Sequence, residues 1–161
     1  MNIRNLEMSS ARLFYRVLGA QDTSIMVRWR STPEIYRYYR NPTPLTMQAH
    51  MMWLESYSSD TSRAEFILEH IDHGIPVGFI GAKLREPNDA ELGCTIAEFK
   101  RTGLGTEAMH TLMKALSLHG VRRFWVEIHP ENEASLGMFT KCGFKPYGRT
   151  SAGFYVLRKQ L

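Results

Sequence analysis

The chain has 161 residues, 43% of them hydrophobic, and a net charge of +4, with arginine outnumbering lysine 14 to 6. That length suits one domain with a real core, and the arginine excess suits anionic ligands. Membrane and nucleic-acid functions are not expected, because no apolar run nears the ~20 residues that span a bilayer and the charges form no dense basic stretch with interleaved aromatics.

Met1 to Ser10 is polar and is expected to be poorly ordered, so the domain is placed over 11–161. Residues 11–18 read as a first strand. A short helix follows from Asp22 to Arg30, and a second starts at Ser31-Thr32-Pro33-Glu34 with proline early and an acid three residues after the serine. The second helix is expected to carry Ile35, Tyr36, Tyr38 and Tyr39 before Asn41-Pro42-Thr43-Pro44 breaks it. Thr46 caps a third helix holding His50, Trp53 and Tyr57. Strands at 64–71 and 75–84 flank an Asp72-His73-Gly74 turn, and a strand at 90–97 follows the turn at 86–89.

Leu104, Ala108, Leu112, Ala115 and Leu116 fall on one face of a helix that Gly120 ends. Residues 121–129 alternate as a half-buried strand, a helix runs from Asn132 to Gly143, and two strands complete the chain. The order predicts a three-layer α/β/α architecture around one mixed, mostly antiparallel, twisted sheet. Cys94 and Cys142 are read as free thiols of a cytoplasmic protein. The six histidines form no ligand-spaced set with them, so no metal site is expected.

The segment Lys100-Arg-Thr-Gly103-Leu-Gly105-Thr-Glu-Ala108 runs from a strand into a helix through two glycines. Backbone N–H groups can approach a ligand closely there, and the helix N-terminus favours a pyrophosphate. It is not the nucleotide P-loop, which needs Lys-Ser or Lys-Thr after its last glycine. With the Asn132-x-x-Ser135 helix start and the Gly143-Phe144 ending, this turn resembles the GNAT superfamily of acyl-CoA N-acyltransferases, in the ribosomal-protein-acetyltransferase-like branch.

That resemblance implies a GNAT fold and acetyl-CoA as cosubstrate. It implies that Thr95, Ile96 and Ala97 bind the pantetheine arm. Lys100, Arg101, Thr102, Gly103, Leu104, Gly105 and Thr106 would hold the pyrophosphate, with Asn132, Ser135, Phe139 and Lys141 completing the cofactor set. One departure matters: many relatives have a tyrosine acid where this chain has Phe139. Ser135, one turn earlier, resembles the serine that some relatives place near the thiolate. Glu91 and Glu127 are the candidate bases, each acting through a water.

The stretch Trp29-Arg-Ser-Thr-Pro-Glu-Ile35, with the later His50, resembles the acetyltransferases that act on nucleotide-linked 4-amino sugars in pseudaminic acid biosynthesis. This makes Arg30, Tyr39, His50 and Trp53 the substrate-binding candidates and a nucleotide sugar the expected acceptor. Two other readings stay open: transfer to a ribosomal-protein or peptide amine, and a non-catalytic CoA-binding module, which Phe139 would suit. Many relatives are dimers, so a homodimer is implied as well.

Overall fold

The computed structural model describes residues 1–161. Seven strands and five helices follow in chain order: β1 (Leu13–Val17), α1 (Thr23–Arg30), α2 (Pro33–Tyr36), α3 (Met47–Ser59), β2 (Arg63–His70), β3 (Ile75–Glu86), β4 (Asp89–Ile96), α4 (Leu104–Leu118), β5 (Arg123–Ile128), α5 (Glu133–Lys141), β6 (Lys145–Arg149) and β7 (Tyr155–Gln160). One sheet has the order β1-β2-β3-β4-β5-β7-β6. Every neighbouring pair is antiparallel except β4 and β5, which run parallel.

Strand alternation sorts the core into two layers. Phe66 and Leu68 of β2 point to one side and join the larger cluster with Leu104, Ala108, Leu112 and Leu116 of α4. Ile67 points to the other side and packs with Leu18 and with Met26 and Trp29 of α1. Burying a leucine or phenylalanine contributes about 2 kcal/mol, so the larger cluster dominates stability. The helix boundaries follow their capping residues: Thr46 Oγ1 accepts from Ala49 N at 3.1 Å, and Gly120 and Gly143 end α4 and α5 with φ of +92° and +91°.

Two expectations are corrected. The first ten residues are an integral part of the domain. Ile3 is fully buried and Leu6 is 9% exposed, both in the main core. Arg4 meanwhile donates to the Tyr57, Ser58 and Asp60 carbonyls at the end of α3. The second helix is one turn only, Pro33–Tyr36, and leaves Tyr38 and Tyr39 in the irregular stretch that follows. The side chain of Tyr39 is drawn instead to Thr95.

Candidate active site

β4 and β5 pair over only three positions, Asp89, Glu91 and the residue between them against Arg123–Trp125. Beyond Glu91 the two strands part, while β4 stays bonded to β3 as far as Ile96 and β5 to β7 as far as Ile128. The result is a wedge whose β4 edge has no neighbouring strand. Thr95 and Ile96 lie on that edge. Ala97 follows, but its N–H is already given to Val77 O at 2.8 Å.

The wedge opens onto the glycine turn. Phe99, Arg101 and Gly103 have φ of +53°, +61° and +85°. Alternating left-handed residues turn successive N–H groups toward one point, a backbone nest that suits an anion. None of the N–H groups from Arg101 to Thr106 has an acceptor within the protein. The α4 N-terminus adds its positive end. The turn therefore fits a pyrophosphate. It is braced from behind: Arg12 donates to Thr102 O at 2.8 Å and pairs with Glu107 at 2.8 Å, and Ser10 Oγ also donates to Glu107 at 2.7 Å. Burial pushes the Glu107 carboxyl up, but these hydrogen bonds prevail and hold it below the ordinary range.

The two glycines divide the work differently from the expectation. Gly103 supplies the left-handed turn. Gly105 is buried, and a Cβ there would lie 2.5 Å from Met138 Sδ, so its missing side chain lets α5 pack on α4. Lys100 and Arg101 are exposed at the turn, and Lys141 is exposed at the end of α5.

On α5, Asn132 is the N-cap: its Oδ1 accepts from Ser135 N at 3.2 Å. The Ser135 hydroxyl is half-buried in the first turn. Phe139 departs from the expectation. It is 2% exposed and packs edge-on against Phe144 at 5.2 Å, so it presents no surface to a cofactor.

The face of the sheet under α1–α3 carries the acceptor candidates. Arg30 lies 4.4 Å over the ring of Tyr39, whose hydroxyl is 2.6 Å from Thr95 Oγ1 at the wedge. His50 and Trp53 stand in a stack of rings on α3, with His50 buried and Trp53 half-buried. His50 is 2% exposed and its ring stacks on Trp53, which stacks in turn on Tyr57 under Arg63. Burial and the nearby Arg30 push the His50 imidazole down, favouring its neutral form.

Both carboxylates read from the sequence are held by arginines. Glu127 pairs with Arg40, which also stands 3.8 Å from Glu91, and Glu91 pairs with Arg85. Glu91, Glu127 and Asp89 line a cavity of ~370 Å³ with Trp125, Tyr147, Arg85 and Arg149. A third carboxylate escaped sequence reading. Glu65 of β2 lies on the same face as Ile67, with 14% of its side chain exposed, and its carboxylate occupies the space a side chain at Gly81 would need. Burial pushes it up to about 7, against the opposing pull of Arg63 and Arg30. The signal available was an acid on an inward position near the start of an apolar strand. The thiol of Cys94, pushed up to about 12 by burial, is no nucleophile.

The comparisons agree with this geometry. The family model for the acetyltransferase (GNAT) domain matches residues 12–145. No curated protein matches the sequence. Among solved structures, an acetyltransferase from Thermus thermophilus is 24% identical, with a TM-score of 0.79 over 96% of this chain and 100% of that one. The spermidine N-acetyltransferase of Vibrio cholerae, solved with CoA and spermine, is 16% identical, with a TM-score of 0.78 over 92% and 94%. Aminoglycoside acetyltransferase AAC(6')-Ib with coenzyme A is 17% identical, with a TM-score of 0.76 over 92% and 94%. No helix of this chain is long and apolar enough to cross a membrane, and no group of three or more metal-ligating side chains is present. The chain belongs to the acetyltransferase (GNAT) family and is an acetyl-CoA-dependent N-acetyltransferase.

Proposed function

We propose that this enzyme transfers the acetyl group directly to the 4-amino group of a nucleotide-linked amino sugar in the cytoplasm. The observation that carries this reading is a set of arginines without carboxylate partners around the acceptor face. Arg30 lies over Tyr39, Arg37 over Tyr38, Arg149 over Tyr155, and Arg158 over both Trp125 and Tyr147. Guanidinium groups already stacked on rings are pre-organised for a diphosphate, and the rings offer faces to a base or sugar.

In this reading the N–H groups of Arg101 to Thr106 hold the CoA pyrophosphate, and the edge at Thr95 and Ile96 aligns the pantetheine arm. Lys100 and Lys141 add charge at the cofactor's entrance. Ser135 returns a proton to the departing thiolate, in the absence of a tyrosine. Glu91 and Glu127 attract the protonated amine to the mouth of the wedge.

A second reading rests on the carboxylates of the ~370 Å³ cavity. Asp89, Glu91 and Glu127 beside Trp125 and Tyr147 also suit a polycation or a basic peptide amine, and two structural neighbours are solved with or named for cationic amines. Acetyl-CoA-dependent thiol release, measured side by side with a UDP-linked 4-amino-4,6-dideoxy sugar, spermidine and a peptide mixture, separates the two. Turnover of the sugar alone is expected. Turnover of spermidine or peptides alone would replace the sugar reading with the second one.

A further inference from the structure

We propose that Glu65, two strands away from the wedge, takes the proton from the acceptor amine. The assignment rests on the acetyl-transfer reading above and deepens it by naming the base.

Glu65 stands opposite Gly81 of β3, and Gly81 stands opposite Gly93 of β4. A side chain at Gly81 would block the path, and Gly81 has none; the Glu65 carboxylate lies across it. Strands are spaced ~4.8 Å apart, so the carboxylate reaches to within about one strand spacing of Gly93. Gly93 is exposed, with open space where its side chain would stand. It sits two residues past Glu91, where β4 loses its β5 partner. The two glycines thus leave a trough free of side chains between a half-buried carboxylate and the edge where the thioester is expected, and a water would bridge it.

Every carboxylate on this face meets an arginine, Glu65 included: Arg63 holds its Oε1, and its Oε2 lies nearest the open side of Gly81. Glu91 and Glu127 are bound by Arg85 and Arg40, and Glu69 by Arg16 at 2.9 Å. The groups around Glu65 come from five places. Arg63 on its own strand donates to it at 3.1 Å. Arg30 approaches from α1, Tyr39 from the segment after α2, and Tyr57 from α3 with its hydroxyl accepting from Glu65 N. On β3, Lys83 lies opposite Arg63 at the outer end. Burial outweighs the cations and leaves the carboxyl titrating at about 7, close to working pH, where a general base is most effective.

The protons balance. The amine enters as an ammonium and gives one proton through the water to the Glu65 carboxylate. The freed nitrogen lone pair forms the N–C bond at the thioester carbonyl, the C–S bond breaks, and its electron pair leaves on sulfur. The Ser135 hydroxyl gives its proton to that sulfur, forming the free thiol, and takes the second nitrogen proton in its place. Glu65 then returns its proton to solvent.

The test uses the full chain as wild type, Glu65→Gln, Glu65→Asp, Glu91→Gln and Glu127→Gln. The substrate is whichever of the UDP-linked amino sugar, spermidine or peptide amines the wild type acetylates. Loss of kcat by roughly 10²-fold or more in Glu65→Gln, an unchanged KM for acetyl-CoA and disappearance of the acid limb near neutral pH are expected. Glu65→Asp should keep a limb at reduced rate, and Glu91→Gln and Glu127→Gln should raise the KM for the amine while the acid limb of kcat stays. A carboxyl ¹³C resonance titrating near neutrality in the free labelled protein, and missing from Glu65→Gln, gives an independent readout. If Glu65→Gln does not fold, Gly81→Ala displaces the same carboxylate and must reproduce the loss. An intact limb in Glu65→Gln, or its removal by Glu91→Gln, would overturn the assignment alone. A wild type that acetylates none of the three amines would overturn the acetyl-transfer reading itself.

Discussion

The hydroxyls of Tyr39 and Thr95 lie 2.6 Å apart and join the segment after α2 to the unpaired end of β4. The segment that would receive the acceptor is thereby fastened to the strand that would receive the cofactor. Removing this bond in Tyr39→Phe costs about 1 kcal/mol. The KM for the acceptor should rise severalfold with little change in the KM for acetyl-CoA. Steady-state kinetics with each substrate varied in turn checks this.

Arg12 and Glu107 act on the opposite ligand. Their ion pair and the bond from Arg12 to Thr102 O hold the nest in shape. Arg12→Ala should raise the KM for acetyl-CoA severalfold and leave the acceptor's KM unchanged. Calorimetric titration with CoA gives the same answer without turnover.

At the start of α5 two neighbours separate stability from chemistry. Asn132→Ala removes a side-chain cap and should cost about 1 kcal/mol in urea unfolding. The Ser135 hydroxyl caps nothing. Ser135→Ala should therefore unfold like the wild type while lowering kcat.

Stability should also carry the signature of Glu65. Its folded value of about 7 lies above the ordinary 4.5, so the folded state holds this proton more tightly than the unfolded chain. The protein then loses stability as pH rises from about 4.5 through 7, and the slope flattens above that. The whole effect is on the order of 3 kcal/mol. Urea unfolding of wild type and Glu65→Gln at pH 5 and pH 8 should show the difference between the two proteins change by an amount of that order.

Deleting residues 1–8 tests the corrected N-terminus. Ile3 and Leu6 leave the core, at about 2 kcal/mol each, and α3 loses the Arg4 contacts at its end. A fall in melting temperature of many degrees is expected, where a disordered tail would change nothing.

The sheet, its helices and the anion-binding turn were legible because each rests on local chemistry: alternation in 121–129, a 3.6-residue apolar stripe over Leu104 to Leu116, and a glycine-bearing strand-to-helix turn. Family membership followed from motifs at fixed spacing. What stayed hidden depends on contacts between distant segments. Nothing in the polar run Met1 to Ser10 says that Ile3 finds the α4 side of the sheet. Nothing near Gly105 says that its neighbour is Met138. The ring stack of His50, Trp53 and Tyr57 was hidden because an aromatic on an amphipathic helix reads the same whether it meets a sugar or Tyr57. Glu65 was overlooked because its value depends on a glycine sixteen positions later being placed beside it by the β2–β3 register.

The wedge has a mechanical consequence. With only three rungs between β4 and β5, the molecule is two half-sheets joined at one end, like the arms of a tuning fork. A cosubstrate lying between the arms would act as the missing rungs and make them move as one body. Amide exchange at Gly93 to Ile96 and Val126 to Ile128 should then slow far more on acetyl-CoA binding than exchange in β1 or β2, and the stiffening should be felt at the acceptor face before any acceptor arrives.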